Sequence, residues 1–145
     1  MASERLQTRD KLVKFGVCEE DTCMLCDAGK EDQQHLFFEC IYSRKCLQAI
    51  KEWLGIHTTS RNIVQILDWT RRRYRGSNFR RKVVRAGIIA VVYKIWQERN
   101  NVLWNSQVRT IVSVVNDVKY IVKERVRTRL GKKVKDRDVV WLQSL

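Results

Sequence analysis

The sequence predicts an all-α protein in which a small N-terminal module precedes a hairpin of two long helices. Three observations predict it. The 145 residues contain no proline and only six glycines, the two residues that punctuate most sheet-rich folds. Apolar side chains recur at helical spacing through two long stretches of the C-terminal half. The polar breaks between these stretches are few and short. A hydrophobic fraction of 44% is ordinary for a globular chain, and a chain of this length buries a core without needing a metal merely to fold.

Each element has its own signal. Thr8 is placed to cap a short helix over Arg9 to Phe15, with Gly16 ending it in the left-handed conformation. Val17 to Lys30 reads as irregular, with two cysteines on a turn, and Glu31 to Glu39 as a short helical turn. Ser43 starts the next helix. Leu47, Ile50 and Leu54 follow its apolar face, and Gly55 stops it. Ser60 is the next cap candidate, for a helix with Ile63, Ile66, Leu67 and Thr70 on one face that ends near Arg73. Gly76-Ser77-Asn78 breaks the chain. The first long helix then covers about Phe79 to Trp104, with Val84, Ile88, Val91, Val92, Ile95, Trp96 and Leu103 inward. Asn105-Ser106-Gln107 is a short connection. The second long helix covers about Thr110 to Leu130, with Ile111, Val114, Val115, Val118, Ile121, Val122 and Val126 inward and Gly131 as its C-cap. Trp53, Trp69, Trp96 and Trp104 are expected in the core. The tail KKVKDRDVVWLQSL reads equally as strand or helix.

Charge is distributed unevenly. The net formal charge is +13, yet residues 1–60 carry eight Lys/Arg against ten Asp/Glu. Residues 61–85 carry nine against one, and residues 86–145 twelve against five. A surface this basic attracts polyanions, nucleic acid before anionic membrane. The longest nearly unbroken apolar run, Ala86 to Tyr93, is far short of the roughly 20 residues that span a bilayer. The opening MASERLQTRDKL carries no apolar segment of a secretory signal. An intracellular protein is expected, in nucleus or cytoplasm with the nucleus favoured, where thiols stay reduced.

Five cysteines in a reducing compartment read as metal ligands or core residues. Cys23, Cys26, His35 and Cys40 have the spacing C-x2-C-x8-H-x4-C. A C-x2-C turn sets two thiolates on one side of a tetrahedron, and a histidine and cysteine a few residues apart close the other side. Zinc is the cation this set suits. Three thiolates and one imidazole fill its coordination sphere, so the site is structural and leaves no position for a reacting water. Without a metal, the same residues would be three small buried cysteines and a surface imidazole. The joint occurrence of both pairs favours one zinc ion. Cys18 and Cys46 lie outside the pattern, Cys46 on the apolar side of a helix. His57, in a helix connection, reads as a surface residue.

The segments Leu6 to Asp10, Cys23 with Cys26, and His35-Leu36-Phe37-Phe38-Glu39-Cys40 together resemble the reverse-transcriptase zinc-binding domain of plant non-LTR (LINE-type) retrotransposons. Ile95-Trp96-Gln97-Glu98-Arg99-Asn100 resembles the segment that follows this domain in such polyproteins, so the resemblance covers about residues 5 to 105. It implies that Cys23, Cys26, His35 and Cys40 are zinc positions. It also implies that the chain is the C-terminal piece of such an element, a truncated or domesticated remnant that does not polymerise alone. Gln7 stands where the family has proline, and Cys46 where it often has tryptophan. The paired-aspartate polymerase motif is absent from the sequence. The resulting division is a zinc-binding module over residues 1–58 and a basic helical region over 59–145.

The densest positive region is Arg71-Arg72-Arg73-Tyr74-Arg75 with Arg80, Arg81, Lys82 and Arg85. Arginine forks match phosphate geometry, and Tyr74 or Phe79 could stack on an unpaired base. RNA or DNA is therefore the expected partner. The same arginines also read as a solvated helix face or as a nuclear localisation signal. In a second functional reading, the apolar faces of the long helices meet a protein partner or another copy. No nucleophile–base pair and no glycine-rich phosphate loop is present. Asp10, Asp68 and Glu98 are scattered, and Glu98-Arg99-Asn100 reads as a helix-surface or inter-helix polar contact. The expectation is a protein that is not an enzyme and takes no small-molecule substrate.

Overall fold

A computed structural model describes residues 6–60, 62–131 and 133–145. It is all-helical: α1 (Arg9–Lys14), a π-helical turn (His35–Glu39), α2 (Ile41–Trp53), α3 (Ile63–Arg72), α4 (Asn78–Asn105), α5 (Ile111–Thr128) and α6 (Asp136–Ser144). Residues 17–32 form the loop before the π turn, closed by one isolated antiparallel bridge between Thr22 and Lys30. The long hairpin is α4 with α5. Lys94 faces Asp117 at 3.6 Å, and the backbone N–H of Arg109 meets Glu98 at 2.9 Å, so the two helices run antiparallel.

Helices α2, α4 and α5 pack pairwise, and α3 lies on α4. Ile50, Ile88, Val91, Val114 and Val118 are fully buried between them. The same apolar cluster continues through Leu36, Phe37 and Cys40 to Cys23. The core thus extends without a break from the helical bundle into the cysteine loop.

Several boundaries differ from the sequence expectation. Asn62, not Ser60, caps α3, because its side chain accepts the Val64 N–H at 2.8 Å. Ser43 lies within the first turn of α2, which begins at Ile41. Helix α5 ends at Thr128 with Arg129 as its C-cap, so Gly131 lies beyond it. The undecided tail is the helix α6. It closes over the bundle with Asp138 bonded to Arg80 and the carbonyl of Leu145 accepting from Trp53. In α4 the buried residue of the last turns is Val102, not Leu103. Positions 103 and 104 follow it by about 100° and 200° round the helix. Trp104 is therefore 85% exposed rather than in the core.

One polar contact ties the N-terminal loop to the bundle. Arg99, deep in α4, reaches Glu31 of the loop with its Nε at 2.8 Å and its second guanidinium nitrogen at 2.7 Å. Both side chains are essentially inaccessible. Glu31 also accepts the N–H of Arg9 at 3.0 Å through the same oxygen, and its carbonyl accepts that of Asp10 at 3.1 Å. It therefore satisfies backbone donors in the first turn of α1. The Arg99 guanidinium lies over the Trp96 ring at 5.2 Å and donates to Asn100. Breaking a buried pair strands a charge and costs about 3–5 kcal/mol. Arg99→Met should lower the stability of unfolding in urea by that amount. Adding Glu31→Gln to it should recover part of the loss, because the stranded carboxylate is gone. Strictly additive losses would show that the two side chains do not act as a pair.

Candidate metal centre

The loop is built to bring four ligand atoms together. The N–H of Cys23 donates to the Gly29 carbonyl at 2.9 Å, and that of Asp27 to the Cys23 carbonyl at 2.9 Å. These bonds form the tight turn that presents Cys23 and Cys26. Asp27 completes it in the left-handed region, with φ of 54°. Asp32 then caps the next turn by accepting the His35 N–H at 2.7 Å.

The π turn explains the H-x4-C spacing. The N–H of Cys40 bonds to the carbonyl of His35, five residues back, at 2.7 Å. In an α-helix, residues five apart lie about 140° round the axis from each other. The wider π turn brings His35 and Cys40 to the same side. The sequence reading gave a short helical turn here, and hydrophobic periodicity carries no signal that would distinguish the π form.

The ligand atoms of Cys23, Cys26, His35 and Cys40 all lie within 4.8 Å of one another. The Sγ atoms of Cys23 and Cys40 are 3.9 Å apart, and the Cys26 Sγ is 3.3 Å from Nε2 of His35. A zinc ion with four bonds of about 2.0–2.3 Å has ligand–ligand edges of about 3.5–3.8 Å, so the donor set fits that cation. Cys23 donates to Cys40, and this bond followed by burial pushes the Cys23 thiol up. The same bond pulls the Cys40 thiol down to about 5. Burial raises Cys26. Two thiolates this close would repel each other, and a divalent cation between them would balance both. The backbone N–H of Ser43, buried on α2, favours the Cys40 thiolate.

Residues 1–46 match the family described as zinc-binding in reverse transcriptase. The N-terminal segment is therefore similar to a zinc-binding segment of reverse transcriptases, and its four clustered side chains suit that likeness. No curated protein and no solved structure matches the chain. The family match ends at Cys46, so Ile95 to Asn100 lies outside it. The fold nevertheless joins that segment to the matched residues through Arg99 and Glu31. The Thr8-Arg9-Asp10 segment has a matching role. The Arg9 guanidinium donates to the Thr22 carbonyl at 2.9 Å, and its backbone meets Glu31. Helix α1 therefore clamps both strands of the loop that carries Cys23 and Cys26. Glu31 is the residue that sequence reasoning missed. It has no periodicity or motif of its own, and only its partners reveal it.

Cys18 and Cys46 stand apart from the cluster. The Cys18 thiol faces the carbonyls of Arg9 and Glu20. Cys46 is fully buried, and burial pushes its thiol up to about 12. His57 is exposed.

The basic residues gather at the other end of α4. Arg71, Arg72, Arg73 and Arg75 are exposed at the end of α3 and in the turn after it, and Lys82 is exposed on α4. Arg72 pairs with Asp68 at 3.1 Å. Arg80 is held by Asp138 at 2.8 Å and stacks on Trp141, so its guanidinium serves α6. Arg81 is half-buried and reaches the Tyr74 carbonyl, and Arg85 is half-buried. The Tyr74 ring packs edge-on against Trp69 and lies across Gly76, which withdraws it from stacking on a base.

Gly29 supplies a direct test of the centre. Its φ is +75°, and a Cβ there would stand 3.1 Å from Cε1 of His35. Gly55 has φ of +68° with open space around it. Alanine at either position should cost about 1–2 kcal/mol of backbone strain. Only Gly29→Ala should also lower zinc affinity in a competition titration, by about tenfold or more. Equal zinc affinity in the two variants would show that Gly29 does not support the His35 ring.

Proposed function

We propose that the protein is a non-catalytic module of the kind found in the C-terminal part of retrotransposon reverse transcriptases. In this reading residues 1–58 hold one structural zinc through Cys23, Cys26, His35 and Cys40. Residues 59–145 bind RNA or DNA through a basic helical surface. The zinc, when bound, cross-links the loop to the π turn and leaves no coordination position for chemistry. The protein would act inside the cell, with the nucleus favoured.

The observation that carries the reading is the separation of the two features. The clustered thiols sit by Arg99, while Arg71, Arg73, Arg75 and Lys82 lie near the opposite end of α4, about 25 Å away at 1.5 Å per residue. A staple and a polyanion surface can then work without interfering. Among the described residues, no helix is long and apolar enough to cross a membrane. One observation favours a second reading, a surface for a protein partner: Trp104, Val108 and Val112 are exposed together near the hairpin tip.

Fluorescence anisotropy with labelled RNA and DNA should show binding that weakens steeply with salt. Replacing Arg71, Arg73 and Arg75 with glutamine should reduce the salt slope by about three. No binding even at low salt would remove the nucleic-acid reading. Sedimentation as a stable dimer in that same case would favour the partner surface. Metal analysis of protein purified without a histidine tag should give about one zinc per chain.

A further inference from the structure

A groove of about 450 Å³ lies between α4 and α5 at the basic end of the bundle. Its floor is apolar, formed by Phe79, Val83 and Ala86 of α4 and by Val122 and Val126 of α5. Its rim carries Lys82 from one helix and Arg125 and Arg129 from the other. No acidic residue lines it among the described residues. We propose that this groove takes an unpaired base of a single-stranded nucleic acid, with the flanking phosphates on Lys82, Arg125 and Arg129. The inference rests on the nucleic-acid reading above and narrows it to strands over duplexes.

Three features point to this occupant. A nucleotide joins a flat apolar base to an anionic phosphate, and the groove sets an apolar floor beneath a cationic rim at that same scale. Its volume falls in the range of small-molecule pockets, which suits one or two nucleotides. The positive charge also continues past the groove, onto Arg73 and Arg75 in the turn that leads into α4 and onto Lys133, Lys135 and Arg137 beyond α5. A strand running out of the groove on either side would meet those charges. Duplex bases stay stacked on each other, so a duplex engages the cations and leaves the floor empty. Phe79 is half-buried on the floor and is the one aromatic ring there. With Tyr74 packed away on Trp69, Phe79 carries the stacking.

The test compares a labelled oligouridylate with an RNA duplex of equal phosphate count on the full zinc-loaded chain. The strand should bind about fivefold or more tighter than the duplex, the range one stacked base supplies. Phe79→Ala should remove that preference while leaving duplex affinity unchanged. Ala86→Leu fills the groove without deleting core contacts, and it should remove the preference as well, which covers the case in which Phe79→Ala perturbs folding. Equal affinity for strand and duplex, or a preference that survives Ala86→Leu, would overturn the inference while the wider nucleic-acid reading stands. Failure of both probes to bind at low salt would overturn both.

Discussion

The structure depends on one buried ion pair, Glu31 with Arg99. Glu31 comes from the cysteine loop, and Arg99 from the C-terminal third of α4. Taking both charges out of water is expensive, and the second carboxylate oxygen of Glu31 has no hydrogen-bond donor among the described residues. An apolar pair of the same volume would stabilise the fold as well or better. What the pair supplies is registry. It fixes which residue of a poorly structured loop meets which turn of a long helix, and the backbone of α1 joins at the same carboxylate.

That pair adds a polar link between the metal centre and the bundle, beside the apolar core that joins them through Leu36, Phe37 and Cys40. The bridge between Thr22 and Lys30 brings the two ends of the cysteine loop together, and Arg9 holds one end while Glu31 forms the other. A cation that closes Cys23, Cys26, His35 and Cys40 into one cluster therefore also holds Glu31 in position. The reverse holds too: with Arg99 in place, the loop loses less freedom when it binds the metal. The cysteine loop and the Ile95 to Asn100 segment are joined by that contact, although the family match reaches only the first.

Much of this was legible in the sequence because period and spacing record it. The long hairpin was readable from residues such as Val114, Val118 and Val122, which repeat at helical intervals. The four cysteine and histidine positions were readable because tetrahedral coordination constrains spacing. The parts that were not legible depend on partners distant in sequence. Glu31 is one acid among several until Arg99 folds against it. Arg80 reads as a phosphate contact until Asp138 of α6 arrives to claim it. Trp104 reads as core because a large aromatic usually is, but it lies about 200° round α4 from the buried Val102, which leaves the ring in water. The π turn was invisible because it alters hydrogen bonding without altering hydrophobic pattern.

Hydrogen exchange read by mass spectrometry, on the zinc-loaded chain and after removal of the metal by a chelator, tests the central claim most directly. The account predicts that chelation strips protection from α1 and from Thr22 to Cys40, and loosens the turn of α4 around Arg99, while the rest of α4 and α5 stays protected. Unchanged protection at Glu31 and Arg99 after the metal is removed would contradict it, because the loop would then hold its register without the cation.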